Sequence, residues 1–110
     1  MEIHFDNPRH ESIVNDFEVL RRRFGEDRAQ EILGTIEVLR AADALFDVPR
    51  GYRPHPLKGV YKGCFAVNIT NVERVIFRPM HQGDPNFRID NPKSITVISI
   101  IEICKNYHGH

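Results

Sequence analysis

The spacing of apolar residues changes once along this chain, and that change constrains the fold more than any other feature. In residues 9–42 apolar side chains recur every three or four positions, which is the spacing of amphipathic helices. From residue 64 onward they alternate with polar residues or form short runs rich in Val, Ile and Phe, as strands do. A chain of 110 residues with this order is expected to form one α+β domain, spanning residues 1–110.

Two helices are predicted in the first part of the chain. One covers residues 9–24 after a cap at Asp6 or Asn7, and Gly25 ends it. The other follows directly and runs to about Ala42. Their buried stripes are Ile13, Phe17, Leu20 and Phe24, then Ala29, Ile32, Leu33, Ile36 and Leu39. Two helices joined by so tight a turn form an antiparallel hairpin.

Four strands are predicted, over residues 2–5, 64–69, 73–78 and 95–104. The second and third are expected to form a hairpin, and residues 79–93 to form a long surface loop. The last strand is apolar on both faces and is therefore placed in the centre, beside the first or the third strand. The predicted fold is a helical hairpin packed on a small, mainly antiparallel four-stranded sheet.

The charge of the chain is zero overall but unevenly distributed. Residues 1–47 contain eleven acids and six arginines, whereas residues 48–110 contain nine bases and four acids. Between Asp47 and Glu73 there is no carboxylate, although Arg50, Arg53, Lys58, Lys62 and His55 all lie there. We call residues 50–62 the basic segment. It fits a surface for an anion such as nucleic acid, or an internal attraction between the two halves, and charge alone does not decide between them.

The sequence also indicates where in the cell the protein is located. The N-terminus lacks the basic start and apolar run of a signal peptide, and no stretch has the length of a membrane span. Cys64 and Cys104 lie in apolar segments without a CxxC partner, so they are expected to be free, buried thiols. A cytoplasmic protein without membrane contact is expected.

Five residues have the chemistry needed to cleave RNA without a metal: His55, Lys58, Arg74, Tyr107 and His108. A base must take the proton from a 2′-hydroxyl, cations must stabilise the charge at phosphorus, and an acid must protonate the leaving 5′-oxygen. Arg53, Lys62 and Arg78 are expected to contact RNA phosphates. No metal-binding spacing, phosphate loop or dinucleotide motif occurs, so neither a metal nor a cofactor is expected.

Four motifs resemble those of the RelE/ParE/HigB superfamily of bacterial toxins. They are HPLKG at 55–59, KG at 62–63, ERVIF at 73–77 and YH at 107–108. In order and spacing they are most similar to the HigB-like plasmid maintenance killer branch, with its HxLKGxxKG stretch, R-[VLI]-I-F strand and terminal (D/N)YH. The resemblance covers nearly the whole chain except a variable loop from Met80 to about Ser94.

The resemblance implies the toxin of a type II toxin–antitoxin system that cuts mRNA at the ribosome. It also implies a cognate antitoxin, of helix-turn-helix type, as a partner. By position, His55 stands where some relatives have a general-base carboxylate or another polar residue. Lys58 would bind phosphate or the transition-state charge, and Arg74 would point to the scissile phosphate. Tyr107 and His108 would stack on a base and supply the acid. The chain departs from the family pattern in two respects that bear on the strength of its catalytic activity. Its net charge is neutral, and it has Asn106 where relatives often have an acid.

Other interpretations remain open from the sequence. Arg74 could pair with Glu102 across the sheet, Tyr107 could pack under the last strand, and the lysine at 58 could serve only the turn. A ParE-like, non-enzymatic gyrase poison is one alternative function. A catalytically weak module that acts with its antitoxin in operon regulation is another.

Overall fold

The fold begins with one short strand and three helices. The structure, a computed structural model, describes residues 1–106. Strand β1 is Glu2–Phe5, and the helices are α1 (Pro8–Val14), α2 (Phe17–Phe24) and α3 (Glu26–Ala41). Within the described residues, no helix has the length and apolar character that crossing a bilayer requires.

The prediction of a single helix over residues 9–24 is wrong, because the helix is interrupted between α1 and α2. Asp16 adopts an extended conformation, and its side chain accepts hydrogen bonds from the backbone N–H groups of Glu18 and Val19, at 3.1 and 3.4 Å. Short polar side chains compete with the helical backbone in this way. Asp16 therefore caps α2 instead of continuing α1, and the helical hairpin becomes a three-helix unit.

The other helix boundaries follow the predicted signals. Asn7 caps α1, since its side-chain oxygen accepts a hydrogen bond from the N–H of Arg9 at 2.9 Å and Pro8 occupies the first turn. Gly25 joins α2 to α3 with φ of +86°, a conformation that residues with a Cβ rarely adopt.

The sheet has five strands, not the four that were predicted. The later strands are β2 (His55–Pro56), β3 (Phe65–Asn68), β4 (Glu73–Pro79) and β5 (Val97–Asn106), and the spatial order is β1-β5-β4-β3-β2. β1 is parallel to β5 and all other neighbours are antiparallel. β5 lies inside the sheet between β1 and β4, which confirms its predicted neighbours, but the middle strand of the five is β4 and not the last strand. β2 was missed because two residues, one of them proline, create no alternating pattern.

The core lies between the three helices and one face of the sheet. Its helical side includes Leu20, Ile32, Ile36 and Leu39, all of them completely buried. The facing strand residues of this core are Val67, Val75, Phe77, Ile98 and Ile100. The helical stripes predicted from the sequence are thus the helical side of the core, with Phe17, Phe24 and Leu33 packed at its margin.

The opposite face of the sheet, which we call the outer face, carries polar strand residues together with the completely buried side chains of Ala66 and Ile76. Because side chains alternate along a strand, Arg74 and Arg78 of β4 point away from the helices while Val75 and Phe77 point toward them. The antiparallel register places His55, Ala66 and Ile76 in one row across three strands. The outer face is therefore where the basic segment meets the arginine-bearing strand.

Residues 80–96, between β4 and β5, form a loop that is ordered by one buried histidine. His81 Nε2 accepts hydrogen bonds from the backbone N–H groups of Thr96 and Val97 at 2.9 and 3.1 Å. Its ring also stacks on Phe87, with 5.1 Å between the ring centroids. The loop is thus attached to the start of β5, and the surface-loop prediction for residues 79–93 holds with slightly later bounds.

Candidate functional site

A broad, open groove of about 1310 Å³ runs along the edge of the sheet where β2, β3 and β4 meet. One part is basic and contains Arg50, Arg53, His55 and Arg74. Another part is apolar, and three of its members are Phe46, Val72 and Ile89. A groove of this size exceeds the usual 300–1,000 Å³ of a small-ligand pocket, so it has room for an extended polymer.

Two sequence-predicted residues, His55 and Arg74, are in direct contact in the groove. Arg74 Nη1 lies 3.3 Å from His55 Nε2, and His55 Nδ1 lies 2.6 Å from the carbonyl oxygen of Arg53. A carbonyl only accepts and a guanidinium only donates, so Nδ1 carries the ring proton and Nε2 is the acceptor. The imidazole is therefore held with its basic nitrogen toward the groove and beside a cation.

Backbone strain at Arg53 orients His55. Arg53 has φ of +50° and ψ of +56°, and it is the one residue other than glycine with positive φ in the described part of the chain. Such a conformation is uncommon for residues with a Cβ and concentrates at functional positions. It follows a 3₁₀ turn over Arg50–Tyr52 and precedes Pro54, and it turns the Arg53 carbonyl toward the imidazole.

Arg74 is supplied by β4, next to the turn between β3 and β4. Its register partners are Asn68 on β3 and Lys105 on β5, whereas Glu102 lies opposite Ile76. Opposite Arg74 to Phe77 the β4–β5 register shifts twice, and each time the extra residue belongs to β5. Bulges of this kind redirect side chains and occur often beside functional sites. The half-buried guanidinium is thus held by a strand rather than by a loop.

Arg53 lies with this pair in the groove, but the other predicted site residues within residues 1–106 do not. Lys58 and Lys62 are exposed on either side of the 3₁₀ turn Gly59–Tyr61, and neither belongs to the described lining of the groove. Arg78 lies further along β4 and forms an ion pair with Asp6, with Nε 3.1 Å from both carboxylate oxygens. Tyr107 and His108 lie outside the described residues.

The titratable groups with shifted pKa values include Asp6 and both cysteines. The hydrogen bonds from Arg78 hold the pKa of the Asp6 carboxyl below its usual range, and the hydroxyl of Ser99 also donates to that carboxylate. Burial raises the pKa of both thiols, Cys64 and Cys104. Both cysteines are free and half-buried, and the Cys104 thiol donates to Glu73 at 3.2 Å. The raised pKa values make these thiols poor nucleophiles at neutral pH.

The sequence did not predict the side of the groove that is lined by Phe46, Ile89 and Asp90. Phe46 follows the second predicted helix, and Ile89 and Asp90 belong to the long loop, so no motif connects them. In the fold, the 3₁₀ turns Leu45–Asp47 and Pro92–Ser94 pack against each other and bring these residues to the groove. The available signal was only the apolar character of Phe46 and Ile89 next to charged residues.

Comparison with known proteins gives one informative result. No family model matches the sequence, and no curated protein matches it. Among solved structures, the chain is similar to a YoeB/ParE toxin from Agrobacterium tumefaciens, with a TM-score of 0.52 and 18% sequence identity. The alignment covers 98% of this chain and 100% of that one.

This comparison establishes the fold. Over 98% of its length this chain shares the α+β architecture of that toxin, which confirms the predicted α+β class, although the sheet has five strands and the helical layer three helices. Placement in the HigB-like branch stays a prediction. A fold supports many activities, so the activity has to be argued from the groove.

Proposed function

We propose that this chain is the toxin of a bacterial type II toxin–antitoxin module and that it cleaves mRNA at the ribosome. The observation that carries the proposal is the His55–Arg74 contact in a basic groove. The fold shared with a YoeB/ParE toxin supports the choice of system. A cytoplasmic location and a cognate antitoxin of helix-turn-helix type follow from this proposal.

His55 fits the role of the base. In the proposed reaction its Nε2 takes the proton from the 2′-hydroxyl of the nucleotide before the scissile bond, and the freed 2′-oxygen attacks phosphorus. The Arg53 carbonyl keeps the proton on Nδ1, which leaves the Nε2 lone pair available. A positioned general base of this kind contributes about 10²–10⁴ in rate.

Arg74 fits the role of the cation beside phosphorus. Its guanidinium donates to His55 in this structure, and in the proposed complex it moves its N–H groups onto the non-bridging phosphate oxygens as their charge grows. Lys58, exposed next to β2, would bind a neighbouring phosphate. The proton for the leaving 5′-oxygen is assigned to His108, with Tyr107 stacking on a base, both by resemblance.

Basic side chains near the groove would hold the RNA strand. Arg50 and Arg53 are exposed, and their side chains form no ion pair with any described residue. Arg53, Lys62 and Arg78 are proposed as phosphate contacts, although Arg78 would have to share its guanidinium with Asp6. Since total charge is zero, affinity for mRNA and ribosome would depend on this local concentration of cations.

Induction of the protein without an antitoxin tests the proposal. Growth should stop and new 5′ ends should appear within translated mRNA. His55→Ala and Arg74→Ala should each abolish both effects, whereas Arg40→Ala, which removes an exposed arginine of α3, should not. Unchanged RNA ends with a folded parent protein would overturn the proposal. DNA damage that depends on gyrase, with intact mRNA, would favour the ParE-like alternative instead.

A further inference from the structure

The apolar part of the groove contains most of the large apolar side chains that are exposed in residues 1–106. Among the five large apolar side chains that are strongly exposed in residues 1–106, three line the groove: Phe46 at 58%, Ile89 at 51% and Val72 at 38%. Isolated exposed apolar residues need no explanation, but a cluster in a concave site marks a place where something binds.

Phe46 is held rigidly although its ring is exposed. The residues on either side of its turn, Leu45 and Val48, are each only 4% exposed, and the Leu45 N–H donates to the Ile95 carbonyl at 2.9 Å. Lys93 Nζ lies over the ring at 4.7 Å from its centroid. The ammonium of Lys93 covers one face of the ring, so the other face offers a stacking surface next to a positive charge.

The charges of the groove favour a polyanion. Arg50 and Arg53 supply two cations with no ion pair in the described part of the chain, and Lys93 supplies a third next to Phe46. Of the two lining carboxylates, Glu73 is already neutralised by Arg28 of α3, and only Asp90 has no partner within residues 1–106.

The sheet edge in the groove is poorly suited to a peptide. An extended peptide binds to an edge strand through its backbone N–H and C=O groups. Here the edge strand is β2, which is two residues long, and Pro54 and Pro56 remove two of the N–H groups that such a ladder needs. Single-stranded RNA needs cations and ring faces but no backbone ladder.

We propose that the apolar part of the groove binds one nucleobase of single-stranded RNA, stacked on Phe46, next to the phosphate held by Arg74. The inference rests on the proposed function, since it names a base-binding position for that substrate. Lys93 would then contact the phosphate of the stacked nucleotide.

Asp90 gives this position a base preference. Guanine presents two parallel donors, N1–H and N2–H₂, which match the two oxygens of one carboxylate. Cytosine and adenine each present one amino group, and the single N–H of uracil lies between two carbonyl oxygens that the carboxylate repels. Guanine should therefore bind best at this position and uracil worst.

Binding of short 2′-O-methyl RNA oligonucleotides, followed by fluorescence anisotropy, tests the inference apart from cleavage, because these strands lack the attacking hydroxyl. Phe46→Leu should weaken binding about 5- to 100-fold, the usual effect of losing one stacking ring. Phe46→Trp should keep the affinity. Arg40→Ala, at an exposed position of α3 outside the groove, is the control and should change nothing. Asp90→Asn should remove the preference for a guanine-containing strand.

The outcomes separate this inference from the proposed function. If Phe46→Leu binds like the parent while His55→Ala loses cleavage, the base-binding position is wrong and the nuclease proposal stands. If binding depends on Phe46 but His55→Ala still cuts, the catalytic proposal fails alone. A groove that binds an acidic peptide and no oligonucleotide at any accessible concentration would overturn the base-binding position in favour of a protein partner.

Discussion

The hydrogen-bond partners of His55 fix which ring nitrogen carries its proton. The Arg53 carbonyl accepts from Nδ1 and Arg74 donates to Nε2, so only one neutral tautomer satisfies both contacts. His81 in the loop is held in the same tautomer by a different means, because its Nε2 accepts two backbone N–H groups. The chain thus contains two histidines with the same proton position, one in the groove and one in a structural role.

This arrangement predicts a nitrogen NMR signature. At a pH where both rings are neutral, His55 and His81 should each have a protonated Nδ1 and an unprotonated Nε2 in long-range ¹H–¹⁵N spectra. Arg74→Ala should alter the Nε2 shift of His55 and leave that of His81 unchanged, because Arg74 touches only the former of the two. A protonated Nε2 on neutral His55 would contradict the role of this nitrogen as the base.

The positive φ of Arg53 gives a second prediction at the residue scale. Arg53→Gly keeps the carbonyl that orients His55 and relieves the strained conformation, so stability should change by no more than about 1 kcal/mol in denaturant unfolding. The lost guanidinium should reduce the slope of log affinity for RNA against log salt by about one. Arg40→Ala, at an exposed position of α3 outside the groove, should leave that slope unchanged.

At the scale of elements, the break between α1 and α2 depends on one side chain. Asp16→Ala removes the acceptor for two backbone N–H groups at the start of α2. The free energy of unfolding should fall by about 1 kcal/mol, which lowers the melting temperature by about 4–8 °C. Asp43→Ala, at an exposed position after α3, should change it by less than about 0.5 kcal/mol. Equal effects of the two substitutions would show that the cap is unimportant.

The elements differ in how well the sequence predicted them, and the reason is physical. α3 and β5 were predicted well because their apolar patterns are long and are satisfied by a single core. The break at Asp16 was missed because a helical stripe continues across it, from Ile13 to Phe17 and Leu20. There the side-chain hydrogen bond of Asp16 outweighs the continuity of the apolar pattern.

Only the part of the site that lies in local sequence motifs could be predicted. His55 and Arg74 lie in short local motifs, so each could be singled out, but their contact depends on the pairing of β2 with β3. Phe46 and Asp90 have no local motif and meet the groove only because two 3₁₀ turns pack together. Long-range packing of irregular segments leaves little trace in a single sequence.

At the scale of the whole molecule, Asp6 connects the first strand to the fourth. Its carboxylate accepts from Arg78 of β4 and from Ser99 of β5, so three strands are joined on the outer face. The side chains of Asp6 and Arg78 are 35% and 45% exposed, and solvent therefore screens the attraction.

Asp6→Asn should reveal the pH dependence of this connection. The pKa of Asp6 is lowered in the folded protein, so its contribution is complete above the pKa of the unfolded chain, about 4, and is lost as pH falls through the lower folded value. The variant should be less stable than the parent at pH 7 by up to about 1 kcal/mol, and the difference should shrink below about pH 4. Asp43→Asn should have the same stability relative to the parent at both pH values. If the stability difference between Asp6→Asn and the parent does not depend on pH, this account is wrong.

The position of β5 also governs when the protein can fold. β5 is the strand that both β1 and β4 require as a neighbour, yet it is the last of the five to be synthesised. Until residues 97–106 have left the ribosomal exit tunnel, β1 has no neighbouring strand and the core lacks Ile98, Ile100 and Ile103. Joining strands so far apart in sequence also costs loop-closure entropy before any contact forms, which slows folding. The groove is therefore assembled only after residues 97–106 have emerged from the ribosome that made it.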